Sequence, residues 1–509
     1  MNARMIFLAL MCAVLPAEPK GWAADMSGRQ TPVAARNILF IVGDDSSAQV
    51  LGCYGNPLVR TPNLDRLASA GTRFDRAYCN SPICTPSRQS MITGKLPHAV
   101  GVTLLQTPLA EDRLTIAEHL KQFGFKTGAV GKMHFNSQLK HGFDYRFDSP
   151  EYNAYIREHP PRVPPADMRV KPRWRPFQDP ARIWLNADML PTRYYDADSE
   201  GTWFASKAIE FLRENRANRF CLWLGFLEPH SPFDFPIEYA GKYDPAKMPV
   251  PLAGPEDGRW VPAVFRDLTD ADKRGIIASY YTSAEYLDKN IGLVLDELQK
   301  LGLSENTLVI FVGDNGYLLG EHGRFEKHTM WEPAVRVPLI LRDPQFARGK
   351  AADALVEFVD LLPSILERLQ VPLMPNIQGK SLVPLLQGKS RKHRDYVFSE
   401  YLPDNMAMVR TAEWKYVFTS GKKDLALGYE TGNPPPGITH MLYDLKRDPG
   451  ETHNLAGAPK YFAVLRDLQQ KMLARFKETH PKAGSLPQGL SVEQSLAWFC
   501  EPPDPQAVR

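Results

Sequence analysis

Four apolar runs rich in β-branched residues each stop at polar or charged residues, and this pattern constrains the fold more than any other feature. Asn37–Val42 (NILFIV) ends in Gly43-Asp44-Asp45, and Thr307–Val312 (TLVIFV) ends in Gly313-Asp314-Asn315-Gly316. Lys126–Val130 leads into Gly131-Lys132-Met133-His134, and Phe220–Leu224 leads toward Glu228-Pro229-His230. Such runs read as strands buried on both faces. Helical patterns fill the gaps. Pro62 follows Thr61 as a cap, and Gly71 closes that helix; residues 279–300 place Ala284, Leu287, Ile291, Val294, Leu295 and Leu298 on one face; Val356–Leu369 repeats the pattern. The expected fold is α/β, a large mixed, mostly parallel sheet sandwiched by helices. In open sheets of this kind ligands collect outside the carboxyl ends of the strands, where the polar residues stand.

Past about residue 375 the texture changes to short strand-like pieces, Tyr396–Ser399 and Lys415–Phe418, before helical periodicity returns at Tyr461–Phe476. This predicts a main domain over 25–375 and a smaller C-terminal α+β subdomain over 376–509, built on an antiparallel sheet. Residues 1–24 read as a secretory signal peptide: Arg4, the apolar run Met5–Leu15, then Ala23 and Ala24 before Asp25. That run is too short to span a bilayer, so an exported protein, periplasmic or extracellular, without stable membrane insertion is expected. A net charge of +3 over 509 residues, with no long basic run, argues against a nucleic-acid partner. Past Cys12, the cysteines at 53, 79, 84, 221 and 500 resemble neither a disulfide scaffold nor a zinc pair. Cys221, in a strand-like run, reads as a buried free thiol.

Asp44, Asp45, Asp314 and Asn315 offer oxygen donors from two strand ends. Adjacent carboxylates repel and are costly near a core unless partnered. A hard divalent cation resolves that, and calcium prefers carboxylate and amide oxygens. Alternatively, Asp-Asp and Asp-Asn-Gly are turn formers after strands. Lys132, His134 and His230 at two further strand ends favour the site over the turns.

A second cluster is Cys84-Thr85-Pro86-Ser87-Arg88, followed by Met91-Ile92-Thr93-Gly94. Cys-x-Pro-Ser-Arg with a trailing Thr-Gly resembles the signature of the sulfatase family. Asp44-Asp45, Cys84 to Arg88, Gly131 to His134, Pro229 to Phe233, Asp314 to Gly316, Lys327 and Arg336 to Ile340 follow in that family's order. Leu442 to Leu445, Asp448 to Glu451, Val409 to Thr411 and Trp414 to Tyr416 resemble its C-terminal part.

The resemblance implies an alkaline phosphatase-like fold, a catalytic domain over 25–375 and one calcium ion held by Asp44, Asp45, Asp314, Asn315 and the modified Cys84. It implies that a maturation enzyme converts Cys84 to formylglycine, whose hydrate attacks sulfur, forms a covalent sulfo-enzyme and expels sulfate on collapse. Arg88 would steady the nucleophile's oxygens, Lys132 and Lys327 would bind sulfate oxygens, and His230 or Lys327 would protonate the leaving alcohol. His134 would take the proton that drives collapse. The substrate implied is a sulfate ester, on a small molecule or, given export, a saccharide. His98 and His322 are candidates for the substrate pocket. Arg169, Lys171, Arg173, Trp174, Arg175 and Trp184, in a Pro- and Arg-rich excursion over 159–180 and just beyond, either receive a sulfated sugar or cover the sheet.

Three other readings compete. A phosphodiester or phosphonate monoester hydrolase of the same superfamily would share the architecture, because fold alone does not fix chemistry. A chain whose Cys84 stays a thiol would bind sulfate without turning it over. A hydrolase using the Cys84 thiol directly would need a Cys–His pairing signal.

Overall fold

A computed structural model describes residues 35–171, 189–346, 348–424 and 435–504. The leader over 1–24 and Arg173, Trp174, Arg175 and Trp184 lie outside the described residues.

The main sheet contains β1 (Asn37–Gly43), β2 (Thr72–Tyr78), β3 (Lys126–Gly131), β4 (Tyr145–Phe147), β5 (Phe220–Gly225), β6 (Thr307–Gly313), β7 (Arg336–Arg342), β8 (Lys350–Ala352) and β9 (Val356–Glu357). Their order is β4-β3-β5-β1-β6-β7-β2-β8, with β9 also on β2. β7 runs antiparallel to both neighbours and the other pairings are parallel. β1, central in the sheet, is buried along its whole length. Its side chains alternate between two cores. Ile38, Phe40 and Val42 pack with Trp223 and Ile310, while Leu39 and Ile41 pack with Leu287 and Ile291 of the helix Asp270–Lys300. Each such aliphatic side chain contributes about 1.5–3 kcal/mol when withdrawn from water. A continuous apolar strand is therefore what a sheet covered on both faces requires.

The C-terminal region holds a separate antiparallel sheet, β10 (Tyr396–Tyr401), β11 (Met406–Thr411), β12 (Trp414–Thr419) and β13 (Thr439–Asp444), in sequence order. The helix Phe462–Thr479 covers one face through Leu468, Met472 and Phe476 against Phe398, Val409 and Tyr416. The expected α/β architecture with an antiparallel C-terminal sheet is thus observed. Among the described residues no helix is long and apolar enough to cross a membrane. The five described cysteines are free, and Cys221 is buried as expected.

Two local expectations need correction. The run Val356–Leu369 is not one helix. Val356 and Glu357 pair in parallel with Ala77 and Tyr78, and the α-helix begins only at Leu361. The open edge of β2 takes up the first two residues, which apolar spacing alone does not reveal. Thr61 does not cap the helix Pro62–Ser69 with its side chain; its hydroxyl accepts the Gly52 N–H at 2.9 Å instead. Gly71 serves close approach, since a Cβ there would lie 2.6 Å from the Leu341 carbonyl oxygen. On the excursion, Lys171 donates to the Pro232 and Phe233 carbonyls at 2.8 and 2.7 Å, tying that segment to the loop after β5.

Candidate active site

Register brings four strand ends to one level. Gly43 lies opposite Gly313, Val42 opposite Gly225, and Gly131 opposite Gly225. Backbone bonds continue the ladder past the strands: Asp44 N–H to Glu228 C=O (3.1 Å), Asp314 N–H to Gly43 C=O (3.1 Å) and Lys132 N–H to Gly225 C=O (2.8 Å). Gly131 has φ +80° and a Cβ there would lie 2.0 Å from the Gly225 oxygen, so only glycine fits. The loops after β1, β3, β5 and β6 consequently leave the sheet side by side.

Cys84 opens the helix Cys84–Thr93, and Arg88 stands one turn on, on the same face. Cys84 Sγ lies 3.2 Å from Asp44 Oδ1, 3.9 Å from Asp45 Oδ1 and 2.9 Å from Lys327 Nζ. Lys132 Nζ bonds Asp44 Oδ2, and Lys327 Nζ bonds Asp45 Oδ1. Arg88 Nε donates to Asp314 Oδ2 at 2.7 Å, while Nη2 approaches Asp44 Oδ1 at 3.5 Å. Asp314 Oδ1 accepts the Asp45 and Asn315 N–H groups at 3.0 and 2.9 Å. The Asn315 amide nitrogen donates to Asp45 Oδ1 at 2.7 Å.

Ligand atoms of Asp44, Asp45, Cys84 and His230 lie within 4.8 Å of one another. Asp314 differs, with both oxygens engaged by Arg88 and by backbone. Two buried oxygens of these residues, Asp45 Oδ2 and Asn315 Oδ1, accept no hydrogen bond. Buried acceptors left without donors are costly, and a hard cation would satisfy both. Carboxylate and amide oxygens are the set calcium prefers, so the residues present fit it.

The electrostatics follow from burial opposed by charge. Burial raises the Asp44 carboxyl, but Lys132, His230, Arg88 and Lys327 outweigh it and hold the group well below the usual range. Asp45 is lowered too, with burial overcome by Lys327 and His230. Burial and the Asp44 charge instead raise Asp314 to about 6, against the pull of Arg88. Burial, with Asp44 beside it, pushes the Cys84 thiol up, against Lys132 and Lys327. Burial and the neighbouring Lys132 and Arg88 push His134 well down, and burial lowers His230 despite Asp45. His230 Nδ1 sits 2.6 Å from the Ser231 carbonyl oxygen and so carries its proton there, leaving Nε2, 3.6 Å from Asp45 Oδ2, as the atom that exchanges protons. His134, with φ +58°, has its Nδ1 buried and unpaired.

The structure thus brings Cys84, Arg88, Lys132, His230, Lys327 and the four proposed metal ligands together. His98 is placed otherwise. It is buried with Nδ1 at 2.7 Å from Glu400 and Nε2 at 2.8 Å from Thr479, so neither nitrogen is offered to a ligand. It joins the C-terminal sheet and the helix Phe462–Thr479 to the helix Pro97–Val100. His322 is likewise buried, 3.0 Å from Asp257 and stacked on Trp331 at 4.0 Å.

Sequence reading missed Tyr280. Its hydroxyl donates to the Asp45 carbonyl and accepts the Ser47 N–H at 2.9 Å, holding Asp45 at φ +59°. Tyr280 precedes Ala284 by one turn, so extending the apolar stripe of residues 279–300 would have found it. Gln89, which donates to the His134 carbonyl at 2.7 Å, gave no such signal.

The sulfatase family model matches residues 36–371, and the model described as N-sulphoglucosamine sulphohydrolase, C-terminal, matches residues 320–478. The chain belongs to the sulfatase family and is a sulfuric ester hydrolase. It is 26% identical over 488 residues to an arylsulfatase of Clostridium perfringens, covering 90% of this chain and 98% of that one. An N-acetylglucosamine-6-O-sulfatase of Bacteroides thetaiotaomicron is 26% identical over 512 residues, covering 85% of each. The solved phosphonate monoester hydrolase of Silicibacter pomeroyi superposes with a TM-score of 0.72 at 24% identity, over 88% of this chain and 97% of that one; this is a likeness of fold.

Proposed function

We propose that this sulfatase is an exported enzyme acting on a sulfated carbohydrate, with one calcium ion held by Asp44, Asp45, Asp314 and Asn315 and a formylglycine made from Cys84 by a separate maturation enzyme. The observation that carries the reading is the contact of one fully buried Sγ with Asp44, Asp45 and Lys327 at once. Burial raises that thiol, so unmodified Cys84 is a poor nucleophile at neutral pH. Asp44, Asp45 and Asp314 balance Arg88, Lys132 and Lys327, so a bound dication would leave the centre positive and attractive to an anionic ester. When bound, calcium would supply acidification of a hydroxyl and charge for the sulfate oxygens, and the hydrate of formylglycine would supply that hydroxyl.

The chain's own residues do the rest. Lys132, just past β3, bonds Asp44, and Lys327, in the loop between β6 and β7, bonds Asp45, so both are suited to the sulfate oxygens. Arg88 anchors Asp314 and reaches toward Asp44. Lys327 Nζ, or His230 Nε2 when that imidazole is cationic, is suited to deliver the proton to the leaving alcohol, and His134, held neutral by burial, is suited to accept one. A carbohydrate substrate is supported by the similarity to an N-acetylglucosamine-6-O-sulfatase.

Sulfate release from N-acetylglucosamine 6-O-sulfate and from 4-nitrophenyl sulfate, before and after calcium removal with EGTA, tests this. The expected result is loss on chelation, recovery on adding calcium, and no turnover by Cys84→Ala. A rate indifferent to chelation, or retained in Cys84→Ala, overturns it. A higher kcat/KM on a phenylphosphonate monoester would favour the phosphonate hydrolase reading.

A further inference from the structure

His230 lines a cavity of about 240 Å³. Glu200 and Glu228 line it with the aromatic rings of Tyr152, Tyr194 and Phe235. Glu228 is only 7% exposed, and its Oε2 accepts no hydrogen bond; Glu200 Oε1 is also buried and unpaired. Among the described residues neither carboxylate has an ion-pair partner, whereas nearby Asp234 has Lys171 at 3.4 Å. Burial pushes the Glu228 carboxyl up to about 8 and that of half-buried Glu200 up to about 7, so the pair is not fully ionised while no cation lies against it. Glu228 Oε1 does rest against the start of the helix Glu200–Glu214, where a Cβ on Gly201 would come within 2.7 Å of it. A helix N-terminus favours that oxygen. Oε2 remains unmatched.

We infer that this cavity is a subsite for an ammonium group carried by the alcohol part of the substrate, so that the enzyme prefers sulfate esters bearing a free amine. The inference rests on the sulfatase reading above and names the substrate class of that same site. Three features select the ligand. An ammonium beside the two carboxyls favours their ionised form and makes charge-assisted hydrogen bonds that a neutral hydroxyl does not offer. The aromatic walls suit an organic cation, which is attracted to ring faces, better than a hydrated metal ion, which needs further oxygen ligands. His230 lines the cavity and also approaches Asp45 at 3.6 Å, so the cavity adjoins the reaction centre.

The test compares glucosamine 6-O-sulfate with N-acetylglucosamine 6-O-sulfate, which differ in whether the amine is free. Wild-type enzyme is expected to favour the free amine in kcat/KM by about tenfold or more, the effect of one desolvated cation contact. Glu228→Gln and, independently, Glu200→Gln are expected to bring that ratio toward one, mainly through KM. If Glu228→Gln fails to fold, Glu200→Gln carries the test. A wild-type ratio near one, or a preference unchanged in the folded variants, overturns the subsite while leaving the sulfatase reading intact. Absence of sulfate release from both sugars and from 4-nitrophenyl sulfate would instead count against the reading beneath it.

Discussion

Replacing Tyr280 with phenylalanine removes a single oxygen from a fully buried side chain, yet that oxygen links two backbone groups of the turn proposed to bind calcium. The hydroxyl donates to the Asp45 carbonyl and accepts the Ser47 N–H at 2.9 Å. Asp45 and Ser47 are both buried, so water does not readily replace it. Each orphaned group costs about 1–3 kcal/mol. Asp45 is also held in the left-handed region at φ +59°, a conformation costing about 1–2 kcal/mol in an ordinary residue, and relaxing it recovers part of the loss. The net expectation is about 2–4 kcal/mol of stability. A turned Asp45 also presents its carboxylate wrongly, so calcium affinity should fall with it. Urea unfolding followed by tryptophan fluorescence reads the first effect, and calorimetric titration of calcium reads the second. A stability change under about 0.5 kcal/mol with unaltered calcium affinity would refute the claim that Tyr280 shapes this turn.

Arg88→Lys should abolish turnover and destabilise the fold by about 3–5 kcal/mol, because one ammonium cannot meet Asp314, Asp44 and the Lys132 carbonyl together; thermal melts and sulfate release check this. His98→Ala should cost about 2–4 kcal/mol by stranding Glu400 and Thr479, while the KM of the folded fraction stays that of wild type; a KM shift would return His98 to the substrate pocket. For Asp360, burial is outweighed by Arg394 and His393, so the folded carboxyl is depressed. Its contribution is fully present above the ordinary aspartate range and is lost as pH falls below about 4. Asp360→Asn should therefore be less stable at neutral pH and show a shallower acid limb in unfolding titrations between pH 5 and pH 2.

The legibility of this chain follows the range of its interactions. β1, β3, β5 and β6 were readable to within a residue because each is an apolar run ending at a glycine, followed at once by charge in β1, β3 and β6 and three residues on, at Glu228, in β5. The same strand ends, with the pentapeptide from Cys84 to Arg88, named the residues that meet at the centre. Longer-range matters were hidden. His98 finds its partners 302 and 381 residues further on, so nothing local distinguished a buried structural histidine from a ligand-facing one. Val356 and Glu357 fit a helical stripe and were claimed by the edge of β2. The capture of Asp314 by Arg88 depends on how the helix Cys84–Thr93 packs, which spacing does not encode.

The most direct test of the central claim is intact mass analysis of the tryptic peptide containing Cys84, from protein made in a host with the maturation enzyme and active on a sulfate ester. Conversion of the thiol to the aldehyde lowers the peptide mass by about 18 Da, and the account predicts that species in active protein. Unmodified cysteine in protein that still turns over a sulfate ester would contradict it.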